Sequence, residues 1–375
     1  MSEGVEVRCI PEDVVYVGRT EWWDLMGQRT TYDGVIHTTA LLNRTDSALI
    51  ATGVRLEALS GEQGLAMCAL SEANLAEILP PVIGRDQMGL RKLLDLILWL
   101  DNAVGDMPLA HDLTVAPGEA FVIPNLYLAA PSMPEAFRVS VDYRREGGGV
   151  ETSTARIEAS QYTPANDYEV PVTGRWFMKA VPRVGLLDHH RFGVATEFGV
   201  DFLRLGHEGA IYAGKGDQET DYFSLGEGVF AAAEGTVVAV REDVPQVRER
   251  FFPRAGESEE QFQQRQIKEV HEGLAGDISA WAAGNYILIE HEGGEISAYL
   301  HLQPRSAVVR EGKEVAQGDP IASVGNTGDS FGAHLHFHVM DHPDLLTGRP
   351  LPFRFSNLEA ELEEPGMIVC AGESA

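Results

Sequence analysis

Three histidines alternate with apolar residues in the segment His334-Leu335-His336-Phe337-His338. Because alternate side chains of a β-strand point to the same face, we expect His334, His336 and His338 to share one face while Leu335 and Phe337 enter a core. Histidine is the most common metal ligand and the usual acid or base near neutral pH. A glycine-rich loop directly precedes the strand and should expose it to a cleft. The segment therefore predicts a metal or acid–base site rather than a polar strand that faces solvent.

Two other segments each contain one residue that could join such a site. His301 lies in Tyr-Leu-His-Leu (299–302), where alternation places it on the face opposite the leucines. Taken alone, His301 is expected to be an ordinary surface histidine. Asp201 stands between apolar residues in Phe-Gly-Val-Asp-Phe (198–202), a strand-like position. Alone, Asp201 fits a turn or cap as well as it fits a metal ligand.

The second half of the chain must position these residues on short strands. Alternating and β-branched patterns predict strands in five segments, which are 229–240, 285–291, 295–302, 320–326 and 333–340. A charged insertion at 241–281 separates the first two. Its centre is rich in helix formers and poor in core residues, so we expect a helical excursion on the surface.

Residues 1–172 have the alternation and the turn spacing of an antiparallel β-sandwich. One amphipathic helix, between Leu90 and Val104 and stopped by Gly105, interrupts the strands. No cluster in this half indicates chemistry, so we interpret it as an accessory packing or partner-binding domain. The junction is expected near 172, followed by a second β domain to residue 357 and an acidic tail at 358–375.

Charge and composition exclude several classes of function. Lys and Arg total 29 against 57 Asp and Glu, which gives a formal charge of −28, and we find no basic face for a nucleic acid or an anionic membrane. Three widely separated cysteines predict neither a disulfide framework nor a cysteine zinc cluster. The most apolar helix candidate, 90–100, is charged and too short to span a membrane.

The first residues lack a basic stretch followed by an apolar one, so they do not read as an export signal. We therefore expect a cytoplasmic protein if this sequence is complete. If a signal has been removed, the cell envelope or the exterior is the expected location.

In chain order these segments resemble the lysostaphin-type zinc metallopeptidases, also called the LytM-like family. The resemblance covers about residues 185–357 and rests on four segments, at 199–201, 229–238, 299–302 and 308–337. It implies a small antiparallel β-barrel-like fold, the duplicated hybrid motif, with a zinc ion at its centre. It also implies endopeptidase activity on peptidoglycan peptides.

Carried over by position, the resemblance makes Asp201 and His336 zinc ligands and makes His301 and His334 catalytic. Glu197 stands four residues before Asp201, where the family has its first zinc-binding histidine. Glutamate can bind zinc. A second carboxylate would, however, make the metal less positive and its bound water less acidic.

Three histidines are alternatives to Glu197 as the missing ligand: His338 on the same strand face, and His189 and His190 upstream. A site with weak or no metal is a further alternative. In the expected chemistry His334 transfers protons and His301 contacts the oxyanion, although the two roles could be exchanged.

The leading hypothesis is a zinc-dependent endopeptidase that hydrolyses peptide cross-links of bacterial peptidoglycan, or another peptide substrate. The alternative is a metal-poor, catalytically degenerate domain that binds or regulates other cell-wall hydrolases, and Glu197 is the kind of change expected there. A third interpretation is a cytoplasmic protein that uses the barrel for another ligand. The presence of Asp201, His301, His334 and His336 together favours the enzyme.

Overall fold

A computed structural model describes residues 4–179, 189–246, 251–358 and 367–371, with only the backbone described at 22–24 and 367–371. The chain divides into two compact units. Unit 1 comprises Met1–Tyr162 with Gly185–Val194, and unit 2 comprises Thr163–Val184 with Ala195–Ala375. The prediction of a mainly β protein is confirmed.

The first boundary falls at Tyr162, whereas the sequence placed the junction near residue 172. The intervening segment bonds to unit 2. Tyr168 Oη donates to Glu295 Oε2 at 2.8 Å, and Glu169 N donates to Ala232 O at 2.7 Å.

Unit 1 contains two sheets that share an apolar core, in which Val54, Phe121 and Tyr143 are buried. One sheet has the order β1-β4-β3 with β8 paired to β4, and the other has the order β2-β10-β9-β5-β6 with β7 paired to β5. The strands are β1 (Val5–Ile10), β2 (Val14–Tyr16), β3 (Gly18–Asp24), β4 (Gly27–Asn43), β5 (Leu49–Ser60), β6 (Gln63–Ser71), β7 (Thr114–Val115), β8 (Ala120–Ala130), β9 (Ala136–Arg145) and β10 (Val150–Ser160).

Four short helices interrupt these strands, where the sequence predicted one. They are α1 (Glu72–Ile78), α2 (Pro80–Gln87), α3 (Arg91–Leu98) and α4 (Leu100–Val104). The expected helix is divided at Trp99, whose φ is 47°, and it stops at Gly105 as predicted. The two earlier helices are too short to give a clear periodic pattern.

A buried ion pair holds the segment at 189–194 within unit 1. Arg191 Nη2 lies 2.7 Å from Asp33 Oδ2, and both side chains are almost completely buried. Since an unpaired buried charge is costly, this pair makes the position of the segment depend on β4.

Unit 2 is organised around a nine-stranded sheet with the order β17-β14-β15-β16-β19-β12-β11-β21 and β20 paired to β19. A two-stranded sheet, β13-β18, accompanies it. The strands are β11 (Gly174–Met178), β12 (Val200–Arg204), β13 (Gly228–Phe230), β14 (Gly235–Arg241), β15 (Asn285–Glu290), β16 (Ile296–Leu302), β17 (Glu314–Val315), β18 (Pro320–Ser323), β19 (Leu335–Met340), β20 (Pro350–Leu351) and β21 (Met367–Ala371). Phe337 packs edge to face with Tyr299 and Phe353 at ring separations of 5.2 Å, which gives β19 a rigid core face.

The insertion between β14 and β15 forms two helices, α5 (Glu259–Ala275) and α6 (Ile278–Ala283). Ser258 and Asp277 cap them through side-chain oxygens that accept backbone N–H groups. The tail contains β21, a strand that the sequence interpretation did not anticipate and that pairs with β11. Within the described ranges, no helix is both long enough and apolar enough to cross a membrane.

Candidate active site

Strand register brings Asp201 and His336 together. Asp201 of β12 and Leu300 of β16 are both direct cross-strand partners of His336 on β19. Directly paired residues share a face of the sheet. Asp201 Oδ1 lies 3.1 Å from His336 Nδ1, and each residue is 3% exposed.

Two other histidines extend this cluster. His334 Nε2 lies 3.4 Å from Asp201 Oδ1, so this one oxygen stands beside two imidazoles. His338 Nδ1 lies 3.0 Å from His336 Nε2. A Cβ at Gly199 would lie 2.6 Å from His336 Cε1, so only glycine leaves room for the His336 ring.

His301 reaches the cluster through an irregularity in β16. Its register with β15 shifts by one residue between the pairs Asn285–Leu302 and Ile287–Tyr299, and His301 has a φ of 64°. Such a bulge redirects a side chain. The His301 ring lies 4.8 Å from that of His334, and His301 is only 6% exposed. The expectation that His301 is an ordinary surface histidine is therefore wrong.

The surroundings of His301 lower its pKa and fix its tautomer. Burial holds the pKa of His301 well below its usual value, and the neighbouring imidazoles of His334 and His336 lower it further. Its Nδ1 lies 2.8 Å from Thr327 O. A carbonyl oxygen can only accept a hydrogen bond, so Nδ1 carries the proton and Nε2 of the neutral ring is the acceptor.

His334 is held in the same way by the loop that precedes it. Its Nδ1 lies 2.7 Å from Gly332 O and 3.2 Å from Ser330 Oγ. Ser330 Oγ donates in turn to Asn326 Oδ1 at 2.7 Å. The glycine-rich loop was expected beside the site, but Asn326, Thr327 and Ser330 were not predicted as its supporting residues. The sequence feature that could have identified them is the run of hydrogen-bonding side chains directly before the alternating histidines.

The other predicted ligands lie on three different segments of the chain. Glu197 lies half-buried in the turn before β12, and His338 lies buried beside His336. His189 and His190 lie in unit 1, on the 3-10 helix His189–Phe192, with ring centroids 3.9 Å apart. Which of these groups completes a metal site stays a prediction.

The donor atoms of this cluster suit a small metal ion. Two zinc bonds of about 2.1 Å at the tetrahedral angle place their donor atoms about 3.4 Å apart. The separation of 3.1 Å between Asp201 Oδ1 and His336 Nδ1 is close to that value. A carboxylate oxygen and an imidazole nitrogen are both ordinary zinc ligands.

A histidine–serine pair elsewhere in unit 2, His291 and Ser297, has a structural role. His291 lies 2.7 Å from Ser297 Oγ through Nε2 and 2.6 Å from Glu234 O through Nδ1. Ser297 pairs with Val339 and so faces away from His336. Both residues are buried, and burial lowers the pKa of His291. We therefore interpret this pair as a satisfied core contact rather than as an activated serine.

Residues 263–348 match the model of peptidase family M23. The matched residues all lie in unit 2. The matched segment contains His301, His334 and His336, whereas Glu197 and Asp201 precede it.

Curated relatives match this chain over short stretches. An uncharacterized metalloprotease of Buchnera aphidicola is 38% identical over 82 residues, which are 22% of this chain and 21% of that protein. Peptidoglycan DD-endopeptidase ShyA of Vibrio cholerae is 36% identical over 76 residues, which are 20% of this chain and 16% of that protein. The chain thus matches only about a fifth of the length of these relatives.

Among solved structures, the catalytic domain of lysostaphin from Staphylococcus simulans is 18% identical to this chain. The alignment covers 48% of this chain and 88% of that domain, with a TM-score of 0.25.

Proposed function

We propose that unit 2 is a zinc-dependent endopeptidase that hydrolyses peptide cross-links of bacterial peptidoglycan. The observation that carries this proposal is the position of Asp201 Oδ1, 3.1 Å from His336 and 3.4 Å from His334 in a buried part of the sheet. The substrate class is supported by the peptidoglycan endopeptidase among the relatives. This substrate would place the site of action in the cell envelope.

Asp201 and His336 would hold the metal in this proposal. When bound, zinc would polarise the scissile carbonyl and lower the pKa of water. Burial of the Asp201 carboxylate favours a cation because a carboxylate away from water is costly unless it is paired.

His301 and His334 would have different roles in the proposed reaction. His301 and His334 both donate Nδ1–H to a backbone carbonyl, so each neutral ring presents Nε2 as a proton acceptor. We assign His301 the role of proton acceptor, because Thr327 O holds its Nδ1–H and its Nε2 therefore carries the lone pair. His334, whose Nε2 lies 3.4 Å from Asp201 Oδ1, is then the ring that would contact the oxyanion. This assignment exchanges the roles first expected from the sequence.

The test is hydrolysis of purified peptidoglycan by the full chain, with the released peptides identified by mass spectrometry. We expect His336→Ala to abolish hydrolysis and His342→Ala, an exposed histidine just beyond the same strand, to leave it unchanged. Equal activity of the parent and His336→Ala would overturn the proposal.

Glu197 favours a second candidate function, in which the domain is metal-poor and binds or regulates another cell-wall hydrolase. A chain that retains no zinc and cleaves no peptidoglycan, yet raises the activity of a separate hydrolase in the same assay, would establish this candidate instead.

A further inference from the structure

The loop that carries Thr327 lies directly against the end of the insertion. Asp329 N donates to Ala282 O at 2.9 Å, at the last turn of α6. A Cβ at Gly284 would clash with Thr327, and a Cβ at Gly328 would clash with the backbone at Gly284. The loop and the start of β15 therefore meet backbone to backbone, with room for glycine only.

Asn285 joins three parts of the domain at this contact. It is 0% exposed. Its Nδ2 donates to Val244 O at 2.8 Å and to Leu302 O at 3.2 Å, and its Oδ1 accepts from Val244 N at 2.8 Å. Val244 is where the chain leaves β14 for the insertion, and Leu302 follows His301.

Thr327 continues this network with its hydroxyl. Thr327 Oγ1 accepts from Asn285 N at 2.9 Å and donates to Leu302 O at 2.9 Å. The carbonyl of the same residue accepts from His301 Nδ1. Thr327 thus holds the backbone beside His301 with its side chain and holds the His301 ring with its main chain.

The geometry assigns Thr327 and Asn285 the role of positioning residues for His301, coupling the root of the insertion to the tautomer of that histidine. A displacement of Val244 would shift Asn285, whose side-chain amide is hydrogen-bonded to it. The backbone N–H of Asn285 donates to Thr327 Oγ1, and the Thr327 carbonyl accepts from His301 Nδ1, so the displacement would alter the hydrogen bond that sets the His301 tautomer. The hydrogen bonds from Asn285 to Thr327 and from His301 to Thr327 are buried, and those between Val244 and Asn285 are partly buried. A buried group that loses its partner costs more than the bond itself contributes. The expected effect of these residues on catalysis rests on the proposed function, whereas their expected effect on the His301 tautomer does not depend on it.

The experiment uses the full chain with 15N-labelled histidine. The His301 imidazole signal is identified by its loss in His301→Gln. Thr327→Val removes the hydroxyl at nearly constant volume, and Thr327→Ser is the matched control that keeps it. We expect the parent and Thr327→Ser to show a single Nδ1–H tautomer with a slowly exchanging proton. In Thr327→Val that proton should exchange about tenfold faster, since a lost hydrogen bond changes a local opening equilibrium by about that factor.

Two results would overturn the assignment: a parent-like His301 signal and exchange rate in Thr327→Val, or equal changes in Thr327→Val and Thr327→Ser. If Thr327→Val does not fold by circular dichroism, Thr327→Ala replaces it with the same expectations. The spectra need no peptidase activity, so failure of the proposed function leaves this test intact. In an active chain, Thr327→Val should lower kcat with little change in KM because the hydroxyl positions His301 rather than binding substrate.

Discussion

The rings of His301 and His336 lie 6.0 Å apart, although strict alternation would direct them to opposite faces of the sheet. Leu300 is the cross-strand partner of His336, so the next residue should face the Phe337 core. A one-residue bulge opposite Tyr286 and the left-handed backbone at His301 bring the ring back to the histidine face. The cluster therefore depends on a local departure from the regular strand.

This backbone predicts an unusual order of stability at position 301. We expect His301→Gly to be more stable than His301→Ala by about 1 kcal/mol, because glycine adopts a positive φ without the steric cost that a Cβ imposes. Urea unfolding monitored by circular dichroism measures the difference. At Glu290, an exposed position in β15, alanine should instead be the more stable of the same pair. Greater stability of His301→Ala would show that the backbone there is not left-handed.

The two cysteines whose side chains the structure describes, Cys9 and Cys68, should differ in reactivity. Burial raises the pKa of the Cys9 thiol to about 12, whereas Cys68 is only partly buried. Because the thiolate is the reactive form, iodoacetamide at pH 8 should label Cys68 and leave Cys9 unmodified in the folded chain. Peptide mass mapping after brief labelling measures this, and comparable labelling in urea is the control. Fast modification of Cys9 without denaturant would contradict its burial.

Helix α5 of the insertion should depend on the ion pair between Glu257 and Arg265. Hydrogen bonds from Arg265 and from the Arg254 backbone lower the pKa of the Glu257 carboxyl to about 2. Since the folded pKa lies below the unfolded one, this contribution is present above about pH 4.5 and is lost as the pH falls towards 2. We expect Glu257→Gln to reduce hydrogen-exchange protection of α5 at pH 7, with the difference from the parent shrinking below pH 4.

Glu272→Gln is the matched control for that experiment. Glu272 lies 3.5 Å from Lys268 on the same helix, but both side chains are mostly exposed. Exposed pairs of this kind contribute little. Equal losses of protection in the two variants would show that Glu257 has no special role.

The alternating histidines could be predicted from the sequence because a strand period of two fixes the face of His334 and His336. His301 could not, since a bulge leaves no mark on the alternation of its own segment. The pairing of Asp201 with His336 depends on the register of two strands that are distant in the chain. The family resemblance implied that these two residues lie together, whereas the residue patterns did not. The buried bond between Asp33 and Arg191 likewise joins residues that no local pattern connects.

Glu197 is the position at which a conservative change should separate the metal-site alternatives. If Glu197 is a ligand, Glu197→Gln removes its charge at constant shape, and zinc affinity should fall by about an order of magnitude or more. If His338, His189 or His190 supplies the ligand, this variant should bind zinc as the parent does, and alanine at that histidine should abolish binding. Competition with a chromogenic chelator measures the affinity.

The reverse experiment at the same position concerns activity. In Glu197→His the metal would have one carboxylate fewer and act as a stronger Lewis acid, so a weak peptidase should gain activity. Unchanged hydrolysis together with unchanged zinc affinity would mean that position 197 does not contact the metal.

Anomalous scattering at the zinc edge, from crystals of the full chain grown with zinc, tests the proposed zinc site at Asp201 and His336 most directly. We predict one strong peak bonded to Asp201 and His336, at about 2.0–2.2 Å from a carboxylate oxygen and an imidazole nitrogen. A fully occupied zinc bound elsewhere, with Asp201 in contact with His336 and neither residue bonded to a metal, would contradict the proposed site.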